Sequence, residues 1–567
     1  MRHAASVADH PPIRPGRSAL RSPTSVDAMS GLLRSNVVVA SGTLVSRVTG
    51  LIRVMVFAYV VGQTALADAY KLSNETPNII YDLIIGGVLS ATLVPVITSV
   101  IAQAGTAVRR QLDAIVTTAV LAISALTLVA VLAAPLIFRL YSITLSADVD
   151  PSVFRSAGTT LTRIFLVQIL FYGLTGVMNA ILHSRERFAA AAWAPVVANV
   201  VVITTLLTIP GAGSRTRSIS EIGVDGRLTW TLGLGATGGI AIMSLIVIAA
   251  VVRSGYVPRF AWSPGDPAVR RLLSMSGWTL AFVLANQVAL VVVRNLAEPG
   301  SALASAYFDA FTFFVLPHGL LAVSVATTFQ PRLARDVASG DGQGFAARMS
   351  TGITAIVALT APASAALIVL ATPIVQVFME RGQFDPIATA NTSSALRGLA
   401  IGLVGFSVFL FTLRGFYANH DTRTPFMLNL FENALNIVLA IVLVGPFGVA
   451  GLGAALGFAY LIAAVAAVVV VRQRWAPSID VRAIAVSIIK WLTAAAGAGA
   501  IMAVGRELFD AGGSSTIATT VWLAGALVAG LVTYWMAALL VRADGVPTVA
   551  TARAALSRAA ARGRHDG

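Results

Sequence analysis

The chain is 567 residues long, 57% hydrophobic and only 11% charged, with a mean hydropathy of +0.82. A soluble globular protein of this length does not have that composition, so the chain is a polytopic membrane protein. Its net charge of +15 does not point to nucleic acid, because the basic residues cluster in alternate short loops, and its lack of cysteine excludes disulfides, thiolate catalysis and cysteine metal sites.

Residues 1–32 are rich in Arg, Pro and Ser and are expected to form a disordered cytoplasmic tail. About fourteen apolar stretches near 20 residues follow, each long enough to cross a bilayer. They cover 35–60, 77–103, 112–138, 158–182, 189–209, 229–252, 272–296, 303–329, 350–378, 394–418, 425–444, 448–471, 484–505 and 516–541. The expected fold is therefore all-α and polytopic. It has an N-lobe over 33–253, a C-lobe over 254–473, two further spans within 474–542 and a C-terminal tail over 543–567. Arg109/Arg110, Arg185/Arg187, Arg253/Arg259, Arg332/Arg335, Arg414/Arg423 and Arg472/Arg474 fall on alternate connections, on the side of both arginine-bearing tails. That bias places this side, and both termini, in the cytoplasm of a cell whose cytoplasmic membrane the chain crosses.

The first span carries Arg47 and Arg53 inside about 28 otherwise lipid-soluble residues. An arginine near mid-bilayer costs about 2.5–3.5 kcal/mol on insertion scales, which makes it a functional pointer. Guanidinium groups also offer fixed bidentate geometry for phosphate, so the pair suggests a path for an anionic substrate. The alternative without function is a buried carboxylate partner or snorkelling to an interface. Gly42, Ser46 and Gly50 lie at four-residue spacing and form a narrow small-residue face suited to close helix packing. Arg47 and Arg53 are about 120° apart around the helix and can both reach only a wide cavity.

Further along, Asp68 lies in the first outer loop and Asp82 inside span two. Arg294, late in span seven, and Asp309, early in span eight, could contact substrate or pair with each other across a hairpin. Thr92/Pro95 and Thr328/Pro331 end the second and eighth spans with the same Thr-x-x-Pro, 236 residues apart, and Asn199 and Asn433 repeat at 234. An even-numbered repeat keeps its orientation, so two six-helix lobes would be related by an axis along the membrane normal. In span eleven, Asn429, Glu432, Asn433 and Asn436 share one helical face. One carboxylate with amide oxygens suits a hard cation such as Na⁺. Glu432 could instead carry a proton, or the asparagines could bridge helices. No Walker A loop, HxxxH pair or paired acid–base carboxylates occur, so the chain is not expected to be an enzyme and needs no organic cofactor.

Several stretches carry a family resemblance. SGTLVSRVTGLIRV (41–54), ADAYKLSNETPNIIYDLIIGGVLSATLVPV (67–96), SRERFAAAAWAPVVANVV (184–201), LPHGLLAVSVATTFQPRLAR (316–335), FMERGQFD (378–385) and RGFYANHDTRTPF (414–426) occur in order. Together they resemble the MurJ/MviN lipid II flippase family of the multidrug/oligosaccharidyl-lipid/polysaccharide exporter superfamily, and the Ala-, Val- and Arg-rich usage resembles an actinobacterial, divergent member. The resemblance implies two six-helix lobes around a central cavity and alternating access that moves lipid-linked peptidoglycan precursor between leaflets, with membrane lipids and cell-wall synthesis proteins as partners. It matches Arg47 and Arg53 to the family's cavity arginines and Asp68 to its first-loop aspartate. Asp82 and Thr312 stand where well-studied members carry further arginines, leaving Arg294 as the candidate to compensate. Two rivals share the scaffold: a Na⁺- or H⁺-coupled exporter of other substrates, and a non-transporting cell-wall scaffold. A flippase could also draw on the membrane potential, worth about 2.3 kcal/mol per charge per 100 mV.

Overall fold

The computed structural model describes residues 25–83, 97, 106–263, 265, 286–509 and 515–544, and of 25–36, 80–83 and 106–108 the backbone alone. Apolar stretches with no competing turn chemistry become helices, and no strand occurs among the described residues. In chain order the longer helices are α1 (Ser25–Val61), α2 (Ala65–Leu83), α3 (Thr106–Leu132), α4 (Pro151–Leu166), α5 (Gln168–His183), α6 (Ala189–Leu207) and α7 (Gly226–Arg253). Then come α8 (Leu303–Pro317), α9 (Val323–Ser339), α10 (Gly342–Val369), α11 (Pro386–Ile401), α12 (Leu403–Ala418), α13 (Arg423–Arg474), α14 (Val481–Leu508) and α15 (Thr516–Leu540). Residues 286–296 are also helical.

Among the described residues, ten helical spans are long and apolar enough to cross a membrane, with α4–α5 and α8–α9 each counted as one, or eleven with the bent pair α11–α12. Much of the second and seventh expected spans, with Thr92 and Pro95, lies outside the described residues. α13 accounts for two expected spans. Its 52 residues would reach about 78 Å if straight, far beyond a bilayer. The break is at Gly448, with φ 54° and ψ −136°. A side chain on Gly451 would meet the carbonyl oxygen of Leu443, which a continuous helix would hold about 12 Å away, so the chain folds back here. That backbone conformation is one that glycine adopts at little cost. Gly448→Ala is therefore expected to destabilise the protein by about 1–3 kcal/mol, read as a lower thermal midpoint in detergent.

Two expectations need correction. The first helix begins at Ser25, inside the segment read as a disordered tail. The helix of the eighth span does not end with the span at Pro331: after a five-residue π-helical turn at His318–Ala322, α9 continues to Ser339. Arg332 and Arg335 are exposed on that extension while Leu333 and Asp336 face inward, an amphipathic pattern that sustains helix through the proline.

The apolar core falls into separate clusters. Small ones join the helices of the first half: one gathers Leu161, Phe165, Val202 and Leu232, another Ile115, Met178, Ala198 and Met243. One large cluster holds the second half together with α14 and α15, whose Trp491 and Tyr534 pack on each other, the Tyr534 hydroxyl donating to Ala358 O at 2.6 Å. The small-residue face of α1 packs on α6: Trp193 covers Gly42, and Asn199 Nδ2 donates to Ser46 O (3.2 Å) and Thr49 Oγ1 (3.1 Å). Its repeat counterpart Asn433 donates to Asn286 Oδ1 at 2.8 Å, the equivalent reach from the fifth helix of a half to its first.

Candidate functional site: a cleft between the halves

α2 enters the membrane from the arginine-poor end. Its Asp68, Lys71 and Glu75 are spaced three and four residues apart, so they share the face turned to the second half. Each is engaged across the seam. Asp68, fully buried, accepts from the N–H groups of Gly300 (2.9 Å), Ala302 (3.0 Å) and Ser305 (2.7 Å), the free donors at the start of α8. Lys71 meets Asp309 at 2.6 Å. Glu75 meets Arg294 at 3.4 Å, and the Arg294 guanidinium lies 3.6 Å from the Phe308 ring centre.

Other bonds close the same end. Gln63 donates to Thr392, and the N–H of Gln383 donates to Tyr59 O at 3.0 Å while its side chain accepts from Thr216 at 2.6 Å. Asn295 accepts from the N–H groups of Ile143 and Thr144 and donates to Leu140 O. Among the described residues, the hydrogen bonds that run from the first half to residue 286 and beyond all lie at this arginine-poor end. The cleft is therefore sealed at one end.

Arg47 lies about 21 Å along α1 from the sealed end. It is exposed, and among the described residues no carboxylate pairs with it or with half-buried Arg53. Its guanidinium rests against the opposite half, where a methyl group on Gly319 would stand 3.6 Å from Cζ. His318 beside it bonds through Nδ1 to Ser407 Oγ at 3.0 Å. The wider π-helical turn after Pro317 is what brings His318 and Gly319 to this position. Arg53 sits deeper, near Tyr70, whose ring packs on Phe57 and Phe165. Two unpaired guanidinium groups at different depths can grip an anion with two charged centres.

The remaining candidates lie elsewhere. Asp68 serves the seam, with both oxygens occupied by backbone donors. Arg294 is buried in its pair with Glu75, and it does not pair with Asp309 as the hairpin reading expected. Asp309, which would have suited a cationic substrate, is taken by Lys71. Asp82 lies in α2 with only its backbone described, and the Thr312 hydroxyl donates to Phe308 O of its own helix. On α13, Asn433 bridges to Asn286 and Asn429, whereas Glu432 Oε1 and Asn436 Oδ1 are buried with no hydrogen-bond partner among the described residues. Sequence reading missed Lys71 and Glu75. Their spacing from Asp68 on an otherwise apolar helix was the available signal, but partners more than 200 residues away were not legible.

Comparison with known proteins agrees with this architecture. The family model described as lipid II flippase MurJ matches residues 57–539. The "Probable lipid II flippase MurJ" of Vibrio cholerae is 28% identical over 433 residues, covering 75% of this chain and 80% of the relative. The "Lipid II flippase MurJ" of Burkholderia cenocepacia is 27% identical over 400 residues, covering 70% and 75%. Among solved structures, a lipid II flippase MurJ in an inward closed conformation matches with TM-score 0.72 at 20% identity, covering 89% of this chain and 98% of that one. An inward-facing multidrug resistance MATE family transporter matches with TM-score 0.61 at 14% identity, covering 75% and 94%. These two likenesses speak to the fold.

Proposed function

Because the chain belongs to the lipid II flippase MurJ family, matched over residues 57–539, we propose that it carries lipid-linked peptidoglycan precursor across the cytoplasmic membrane by alternating access. The observation that carries this reading is that Arg47 and Arg53 have no carboxylate partner among the described residues and lie along a cleft sealed at one end. A diphosphate headgroup enters from the arginine-rich end, which the charge bias assigns to the cytoplasm. Arg47 binds it first and Arg53 draws it deeper, while the polyprenyl tail stays in lipid. Because Arg47 also touches the second half through Gly319, a bound anion contacts both halves. Separation of the sealed end then exposes the headgroup outside.

Coupling follows from α13 or from the potential. Glu432 and Asn436 each bury an oxygen that has no partner among the described residues, which favours a Na⁺ ion or a proton held there, since a buried carboxylate oxygen without a partner is costly. The test of the headgroup site is native mass spectrometry of the purified chain with lipid II. The Arg47→Ala/Arg53→Ala variant is expected to lose at least about tenfold in binding, given two charge-assisted contacts. Undiminished binding by a folded double variant removes the arginines from the mechanism.

A further inference from the structure

On the outer surface of the first half, away from the cleft, a second cationic site is built where α3 meets the linker that follows α7. The linker, residues 254–263, has no helix of its own and is fastened to its neighbours. Arg185 Nη1 donates to Ser254 O and Oγ, both at 2.9 Å, and its guanidinium lies over the Tyr256 ring. Asp113, buried near the start of α3, accepts from the Tyr256 hydroxyl (2.7 Å) and the Arg259 N–H (3.1 Å). The Ala261 N–H donates to Thr117 at 3.0 Å. These bonds frame a cavity of about 450 Å³ lined by Arg109, Arg110, Asp113, Arg259, Phe260 and Trp262.

Three guanidinium groups face one carboxylate that already has two donors, and among the described residues none of the three has an ion-pair partner. The cavity therefore keeps an excess of positive charge. Its depth identifies the anion. Arg109 opens the apolar length of α3 and Arg253 closes that of α7, so the cavity sits at the membrane surface. Phe260 and Trp262 are 79% and 58% exposed beside it, in the manner of aromatic side chains that settle among headgroups. A bound phosphate here would have acyl chains within reach of the bilayer.

We propose that this cavity binds the phosphodiester headgroup of an anionic membrane phospholipid, on a surface separate from the transport cleft. Inorganic phosphate shares the chemistry, and the test separates the two. The full chain is purified in detergent and titrated with phosphatidylglycerol, with phosphatidylcholine, and with inorganic phosphate as competitor, adducts being counted by native mass spectrometry. Wild type is expected to retain phosphatidylglycerol over phosphatidylcholine, undisplaced by phosphate. Arg109→Gln/Arg110→Gln/Arg259→Gln should lose about fivefold per arginine removed. An equal charge loss elsewhere on the same side, Arg332→Gln/Arg335→Gln/Arg472→Gln, should leave the adduct intact. Should the first triple variant not fold, Arg259→Gln alone carries the same comparison with about a fivefold loss. Equal retention by the variants, equal retention of phosphatidylcholine, or displacement by phosphate overturns the proposal.

Discussion

Lys71→Met is expected to open the arginine-poor end of the cleft without unfolding either half. The Lys71–Asp309 pair is short, at 2.6 Å, and its two side chains are 12% and 2% exposed. Removing one partner of such a pair leaves an uncompensated buried charge, at a cost of about 3–5 kcal/mol. The two residues belong to different halves, so this cost falls on the state in which the halves touch. Each half keeps its own core. A shift of that size changes the ratio of closed to open forms by about a hundredfold or more. A single cysteine introduced at Gln63, in a chain that has none, reports the change through its rate of labelling by a membrane-impermeant maleimide. Labelling should speed up in Lys71→Met and return toward the original rate when Asp309→Asn removes the stranded charge. An unchanged rate in Lys71→Met would show that the pair does not hold the seam.

Tethering that same end should stop transport while sparing binding. Gln63 and Thr392 bond across the seam, so cysteines at these two positions lie within reach of a short reducible bis-thiol reagent. Alternating access requires the sealed end to part. Lipid II translocation in proteoliposomes is expected to fall by at least about tenfold on tethering and to recover on reduction. Headgroup binding should persist, because Arg47 lies about 21 Å along α1 from the tethered end. Full transport by the tethered protein would mean that the halves need not separate here.

Hydropathy made most of this fold legible, because apolar length sets each long helix. The small-residue face of α1 was readable too, and it meets Trp193 and Asn199 as close packing requires. Pro331 misled, because a proline in a membrane-edge helix need not end it when the polar face continues. The cleft was half legible. Arg47 and Arg53 stand out because intramembrane charge is rare, but nothing local distinguishes them from Arg294, which pairs with Glu75 through one of its nitrogens. Whether a charge is free or paired depends on a helix more than 200 residues away, and no local pattern encodes that distance.

The way the seam is sealed also bears on the medium the cell lives in. Salt screens exposed charges over about 8–10 Å at ordinary ionic strength but acts far less on buried ones. Asp68, Lys71, Glu75, Arg294 and Asp309 are all largely withdrawn from solvent, whereas Arg109, Arg332 and Arg335 lie open at the other end. In the proposed orientation, the closure that faces an environment of fluctuating salinity is the one that salt barely touches. The screenable charges face the interior, where the cell holds its ionic strength steady. Resting closure of the cleft should thus be indifferent to osmotic shock, with no separate sensor to make it so.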